Sequence, residues 1–385
     1  MLALTANALF TPLERIDDPV VLIEDGRIAS VSSRSAADIP SGAKPIDFGH
    51  SILAPGLIDI HIHGGVGHDV MQNDETARAA FEHFLVQHGV TSYYPTTVTA
   101  SVSEILRALE HLARAVENAE MNPEPRRARP LGIHLEGPFL SHLRRGVHPP
   151  EKLVTPDAKA FDRFWQAAQG KIRVMTIAPE LPGALELIRE ANRRGVCVSI
   201  GHSDATLEQA KAGIAAGACH ATHTFNAMRP LGHRDPGIAG EVLSNTAISA
   251  DIIADGIHVH PVMVQVFLRT KGLERAVLIT DATAATGMPD GQYMLGSLEV
   301  EVRDGKCLHD GKLAGSVLTL DRAVRNTMEF AGVDLQQAVR LASLNPARAL
   351  NISRGVLQAG QPADLVVLSP SGEVNATIVN GVVAQ

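Results

Sequence analysis

His61 and His63 stand one residue apart at the end of the apolar run Gly56-Leu57-Ile58-Asp59-Ile60-His61-Ile62-His63-Gly64, and their types and spacing are those of a metal site. Side chains two apart in a strand leave from the same face, so two imidazoles there can grip one cation. Other apolar runs also end in polar groups: Glu136 after Ile133-His134-Leu135, His202 after Ser199-Ile200-Gly201, and Asp281 after Leu278-Ile279-Thr280. His223 lies within Thr222-His223-Thr224-Phe225-Asn226. Imidazole and carboxylate donors without thiolate suit a divalent transition metal, zinc first, with iron(II), manganese or cobalt as alternatives. A carboxylate closing an apolar strand is costly to bury without such a partner.

These groups need elements that bring them together. Between about Pro55 and Pro346, β-type runs alternate with amphipathic helical runs. The predicted strands are Leu57–His63, Thr91–Thr97, Leu131–Glu136, Ile172–Ala178, Val196–His202, Ala221–Phe225, Ala247–Ala254 and Ala276–Asp281. Predicted helices include Glu75 to His88, Ser103 to Ala119, Leu181 to Arg194 and Asp204 to Ala216. Eight strand-helix units are the arithmetic of a (β/α)₈ TIM-type barrel, whose functional groups sit at the C-terminal ends of the strands. Five of the six close a predicted strand, His223 lies within the sixth strand, and all converge on one rim. A doubly wound sheet is disfavoured, because no G-x-G-x-x-G follows the first strand.

The two ends of the chain have a different rhythm. Val20 to Val31 reads as two short strands joined at Asp25-Gly26, and Ala363–Leu368 with Ala376–Val383 repeats the pattern. Isolated hairpins are marginal, so the ends are expected to pair into one discontinuous α/β-barrel appendage: a small β-sandwich domain of residues 1–52 and 350–385, with the barrel at 53–349.

A chain of 385 residues has room for such a core. Its 45% hydrophobic and 20% charged content, with no apolar stretch long enough for a membrane span and a mildly apolar start, Met1–Phe10, that lacks a basic segment, predicts a soluble protein without a signal peptide. Cys197, Cys219 and Cys307 are widely spaced, which argues against a disulfide framework and for a reducing cytoplasm, with Cys197 and Cys219 as inert core residues. A net charge of −8 and 4% aromatics speak against nucleic acid or membrane partners, while leaving room for a basic pocket around a small anion.

The order His-x-His, then histidines on strands five and six, then aspartate on strand eight resembles the amidohydrolase superfamily. The fourth strand, Arg173 to Glu180, lacks the lysine that many members carry, and Glu136 on the third strand offers the acidic ligand instead. His134-Leu135-Glu136-Gly137-Pro138-Phe139, Gly201-His202-Ser203, His223-Thr224-Phe225-Asn226-Ala227-Met228, Asp255-Gly256-Ile257-His258, Thr280-Asp281-Ala282 and Leu313-Ala314-Gly315-Ser316 together resemble the N-acetylglucosamine-6-phosphate deacetylase family, over nearly the whole chain.

That resemblance implies hydrolysis of an acetamide on a sugar phosphate, in amino-sugar catabolism and cell-wall sugar recycling. The galactosamine epimer as substrate, or a cyclic amide, is the alternative. It makes Glu136, His202 and His223 the principal metal ligands, and retention of His61 and His63 allows a second ion bridged by Glu136. Asp281 becomes the general base, then acid. Arg234, with backbone groups of Asn226 and Ala227, is assigned to the phosphate, since a guanidinium fork can hold two phosphate oxygens. Val147 and His148, Asp255, Gly256, Ile257 and His258, and Leu313, Ala314 and Gly315 complete the sugar pocket. A homodimer is also implied. His83, His88 and His111 lie away from strand ends and are expected in surface or capping roles, and His134 is kept off the ligand set.

Overall fold

The computed structural model describes residues 1–36 and 39–384; residues 37, 38 and 385, which fall in the expected terminal β-domain, lie outside the described residues. Its centre is a run of parallel strands: β1 (Leu57–Ile62), β2 (Val90–Thr97), β3 (Ile133–Glu136), β4 (Ile172–Ile177), β5 (Cys197–Ile200), β6 (His220–Ala221), β7 (Ala250–Ile253) and β8 (Ala276–Ile279). β1 to β6 pair in chain order as one curled parallel sheet, and β7 pairs with β8.

Backbone hydrogen bonds carry the sheet across the remaining gaps. Ala221 N donates to Ser249 O (3.0 Å) and Thr224 N to Asp251 O (2.9 Å), while Asp281 N donates to His61 O (2.9 Å) and His63 N to Ala282 O (2.8 Å). This arrangement is consistent with a TIM-type barrel. β1 and β2 are buried at every position, including the polar Asp59 and His61 of β1 and the Thr and Ser side chains of β2, as expected of parallel strands covered on both faces.

The helices that cover the strands carry their own start signals. Asp74 caps Glu75–Gln87 through Ala77 N, and Ser101 with Glu104 forms a capping box on Val102–Met121. In the latter helix Ile105, Leu109, Leu112 and Val116 recur at helical spacing and are buried against the strands.

Strands from both ends of the chain meet in one six-stranded sheet. Leu365–Leu368 pairs antiparallel with Ile52–Pro55, so this sheet runs on to Pro55. A four-stranded sheet of N-terminal strands shares its apolar cluster, in which Leu4, Val21 and Ile23 join Leu53, Leu365 and Ile378. Both expected hairpin turns are present, with positive φ at Asp25 (47°) and Gly26 (73°) and at Asn380 (52°) and Gly381 (77°). The two turns abut: a Cβ on Gly26 would come within 2.7 Å of Asn380 Oδ1. Arg129 and Arg354 both pair with Asp364, linking the terminal sheet to the strands of the centre.

Two differences from the sequence reading stand out. The sixth strand stops at Ala221, because His223, Phe225 and Ala227 take positive φ and turn the chain out of the sheet. An antiparallel meander, from Gly291–Leu295 through Lys312–Leu313, also follows β8. The alternation in Leu298–Arg303, with Val300 and Val302 buried between exposed Glu299 and Glu301, is the pattern of a one-sided strand.

Candidate active site

The ends of β1, β3, β5, β6 and β8 deliver six side chains to one point. His61 and His63 leave β1 on the same face with their Nε2 atoms 3.3 Å apart. Both face Glu136 Oε2, at 3.2 and 3.3 Å, and Asp281 Oδ1, at 3.5 and 3.0 Å. The other carboxylate oxygen, Oε1, faces His202 Nε2 at 3.3 Å and His223 Nε2 at 3.2 Å. Glu136 therefore stands between two imidazole pairs and offers one oxygen to each.

Three of these residues occupy left-handed backbone: His202 (φ 47°), His223 (φ 29°) and Asp281 (φ 52°). Such conformations are unfavourable for residues with a Cβ and persist only where neighbours over-determine them. Those neighbours are visible here. Ser141 N bonds His202 O (2.9 Å), Ser316 N bonds Asp281 O (2.7 Å), and Asp251 Oδ1 accepts the His223 N–H.

The donor set fits a divalent cation. His63 Nδ1 donates to Thr96 O (2.9 Å) and His202 Nδ1 to Arg144 O (3.0 Å), which leaves their Nε2 lone pairs directed inward. His202 and His223 bring two Nε2 atoms within 3.0 Å of each other, a contact that a shared cation satisfies. Burial opposes charge on His63 and His223, yet the facing Glu136 and Asp281 raise both, His223 to about 9. Burial likewise opposes ionisation of Glu136 and Asp281, but His61 and the other facing imidazoles hold both carboxyls below their ordinary range. The cluster's field calls for positive charge between its carboxylates.

A cavity of about 140 Å³ opens beside these groups. Of the residues predicted from sequence, Glu136, His63, His202, His223, Asp281, Val147, His148, Asn226, Ala227, His258, Leu313, Ala314 and Gly315 line it. His61 is fully buried behind it. Asp255 and Gly256 form the turn that presents His258: Asp255 Oδ1 accepts the N–H groups of Ile257 and His258 (2.8 Å each), and its Oδ2 holds His258 Nδ1 at 2.6 Å. Ile257 points outward at 38% exposure, and Arg234 is exposed and away from the cavity wall. Gly315, at φ 60°, has no room for a side chain, because a Cβ would lie 2.9 Å from Asp281 O. That close approach brings the Leu313–Gly315 segment onto the carboxylate.

His148 Nδ1 accepts the Thr99 N–H (3.2 Å) and lies 2.7 Å from Thr99 Oγ1. Burial and then His202 push the imidazole down to about 3, so it is neutral and carries its proton on Nε2. His134 is a satisfied core imidazole, bonded to Ile60 O (3.2 Å) and Thr176 Oγ1 (2.8 Å). His111, expected at the surface, is buried with Nε2 3.0 Å from Met71 O.

The sequence reading missed Val98, Gly146 and Leu295 in the cavity wall and the two carboxylates that steady the ligands. Asp251 is one. Asp59 is the other: it accepts His61 N (3.3 Å) and Thr280 Oγ1 (2.6 Å), and burial pushes it up to about 7. A signal for Asp59 existed, since it continues the alternation Asp59-x-His61-x-His63.

Parallel strands whose C-terminal ends gather imidazoles and carboxylates around one cavity define a metal-dependent hydrolase, and the chain belongs to the Amidohydrolase family, which matches residues 52–384. It is 38% identical over 364 residues to the N-acetylglucosamine-6-phosphate deacetylase of Lysinibacillus sphaericus, covering 94% of this chain and 92% of that one. It is equally similar, at 38% over 385 residues and 99% of each chain, to the N-acetylgalactosamine-6-phosphate deacetylase of Escherichia coli. The crystal structure of N-acetyl-D-glucosamine-6-phosphate deacetylase from Mycobacterium smegmatis matches it with a TM-score of 0.93 at 36% identity, over 100% of both chains. Among the described residues no helix is long and apolar enough to cross a membrane.

Proposed function

We propose that this chain hydrolyses the acetamide of N-acetylglucosamine-6-phosphate to glucosamine-6-phosphate and acetate, serving amino-sugar catabolism and the recycling of cell-wall sugars. The observation that carries the reading is Glu136, with one oxygen toward His202 and His223 and the other toward His61 and His63, beside the cavity that Asp281 lines. A divalent ion held by Glu136, His202 and His223, with His61 and His63 available for a second, would polarise the acetamide carbonyl and acidify a water. Zinc is the assigned metal, with iron(II), manganese and cobalt as the alternatives.

Asp281 takes the proton of the attacking water and returns it to the leaving amine. Its Oδ1 is engaged by the imidazoles of His61 and His63, so Oδ2 is the atom assigned to the proton. Despite its burial, the facing imidazoles hold its carboxyl below the usual range, so it is ionised before the water attacks. His148 Nε2–H donates to the acetamide oxygen as charge builds there, and the Asp255-braced His258 orients the sugar. Arg234 and the backbone at Asn226 and Ala227 are assigned to the phosphate.

The same reading closes β1 to β8 into a (β/α)₈ barrel of residues 53–349, with residues 1–52 and 350–385 as a β-sandwich domain. It takes the chain to be a cytoplasmic homodimer. The likeness to the Escherichia coli N-acetylgalactosamine-6-phosphate deacetylase over 99% of each chain supports the epimer as a second reading.

Acetate release from both phosphorylated sugars, measured after chelation and stepwise return of zinc, iron(II), manganese or cobalt, tests both. Faster release from the glucosamine compound is the expected result. Preference for the other epimer selects the second reading, and no release with any metal overturns both.

A further inference from the structure

Cys197 opens β5 and Cys219 stands directly before β6, and their Sγ atoms lie 3.3 Å apart. The sheet sets this separation. Cys219 N donates to Val198 O (3.0 Å) and its carbonyl accepts Ser249 N (3.0 Å), while Cys197 is registered against Val174 in β4. Both backbones are thus held by ladder bonds that keep the thiols facing. A disulfide bond is about 2.05 Å long, so the sulfurs need to close by about 1.3 Å. Cys197 is buried and Cys219 is only half-buried, which gives one of the two thiols access to a reagent in solvent.

The pair is not a metal site, because among the described residues no third histidine, cysteine or carboxylate atom completes a cluster with it. A hydrogen bond between the thiols favours ionisation of Cys219 and disfavours that of Cys197, with burial adding to the rise at Cys197. The more exposed sulfur is therefore also the better nucleophile.

We propose that Cys197 and Cys219 are a reversible modification site, forming an intramolecular disulfide by exchange with a small-molecule disulfide of the glutathione type. The Cys219 thiolate attacks one sulfur of the reagent, its S–S bond breaks, and one small thiolate leaves. Cys197 then attacks Cys219 Sγ and displaces the second small thiolate, which takes up the Cys197 proton as it leaves. The protein pair is oxidised by two electrons and the reagent is reduced to two thiols. The bond staples the feet of the two strands that lead to His202 and His223. Those histidines lie five and four residues further on, at the opposite ends of the strands, so the staple braces the fold and leaves the cavity in place.

The test treats the full-length, metal-loaded protein with excess oxidised glutathione, then alkylates free thiols under denaturing conditions and maps peptides by mass. The expected product is lighter by two hydrogens, carries a Cys197–Cys219 cross-link and an alkylated Cys307, and reverts with dithiothreitol. Its Tm should rise by about 5 °C, with hydrolysis unchanged. In Cys197→Ala the glutathione should remain as a mixed disulfide on Cys219, with no rise in Tm. Alkylation of both cysteines after oxidation, or a persistent glutathione adduct on wild-type Cys219, overturns the proposal, and loss of hydrolysis on cross-linking overturns the bracing role. The mass readout needs neither the variant to fold nor the substrate to be the one proposed above.

Discussion

Asp281 Oδ1 lies 3.0 Å from His63 Nε2, so the carboxylate proposed to move protons is tied to the very histidine pair that would bind a second cation. The link makes metal count and proton transfer separable by mutation, since each partner can be changed alone.

Asp281→Asn keeps the shape of the side chain and removes its basicity. We expect kcat to fall by about 10²–10⁴-fold with metal content retained. Metal analysis alongside steady-state kinetics checks this, and near-normal turnover would remove Asp281 from the role.

Glu136 and His63 should differ in what their loss does to metal. Glu136 serves both imidazole pairs, whereas His63 serves one. Glu136→Ala should abolish tight binding, and His63→Ala should keep the ion held by Glu136, His202 and His223 and lose any second one, as read by elemental analysis of dialysed protein. Equal metal content in wild type and His63→Ala would leave the His61–His63 pair without a ligand role.

Arg234→Ala should raise KM for the phosphorylated sugar far more than for its unphosphorylated counterpart, because a guanidinium-phosphate contact exists in only one of the two. Equal changes in the two KM values would remove Arg234 from the phosphate site.

Lys271, which does not line the candidate cavity, gives a separate pH signature. Its Nζ donates to Val242 O (2.8 Å) and Asn245 O (2.6 Å), and burial, with Arg275 adding, lowers it from 10.5 to about 8. Below about 8 the lysine is charged in both folded and unfolded chains, and the cost of burying that charge is fully present. Between about 8 and 10.5 the folded chain releases the proton while the unfolded chain keeps it, so this group's contribution to stability rises with pH. Denaturant titrations of wild type and Lys271→Met across that window should show the wild type gaining on the variant as pH increases. Parallel curves would exclude the effect.

The residues alone determined the parallel strands, the two Asx-Gly hairpin turns and the identity of the six ligand candidates. These rest on local rules: β-type runs alternating with amphipathic helical ones, side-chain alternation that puts His61 and His63 together, and turn residues that tolerate positive φ. What only the tertiary structure decided is how distant segments meet. The direction of each Glu136 oxygen depends on where β5 and β6 lie relative to β1. The proton on His148 Nε2 depends on Thr99, forty-nine residues away in the chain. Asp251 as a prop for His223, and Cys197 as the neighbour of Cys219, follow from sheet register across strands. No periodicity encodes such contacts, because they arise where separate elements are packed against one another and the chain between them is only a tether.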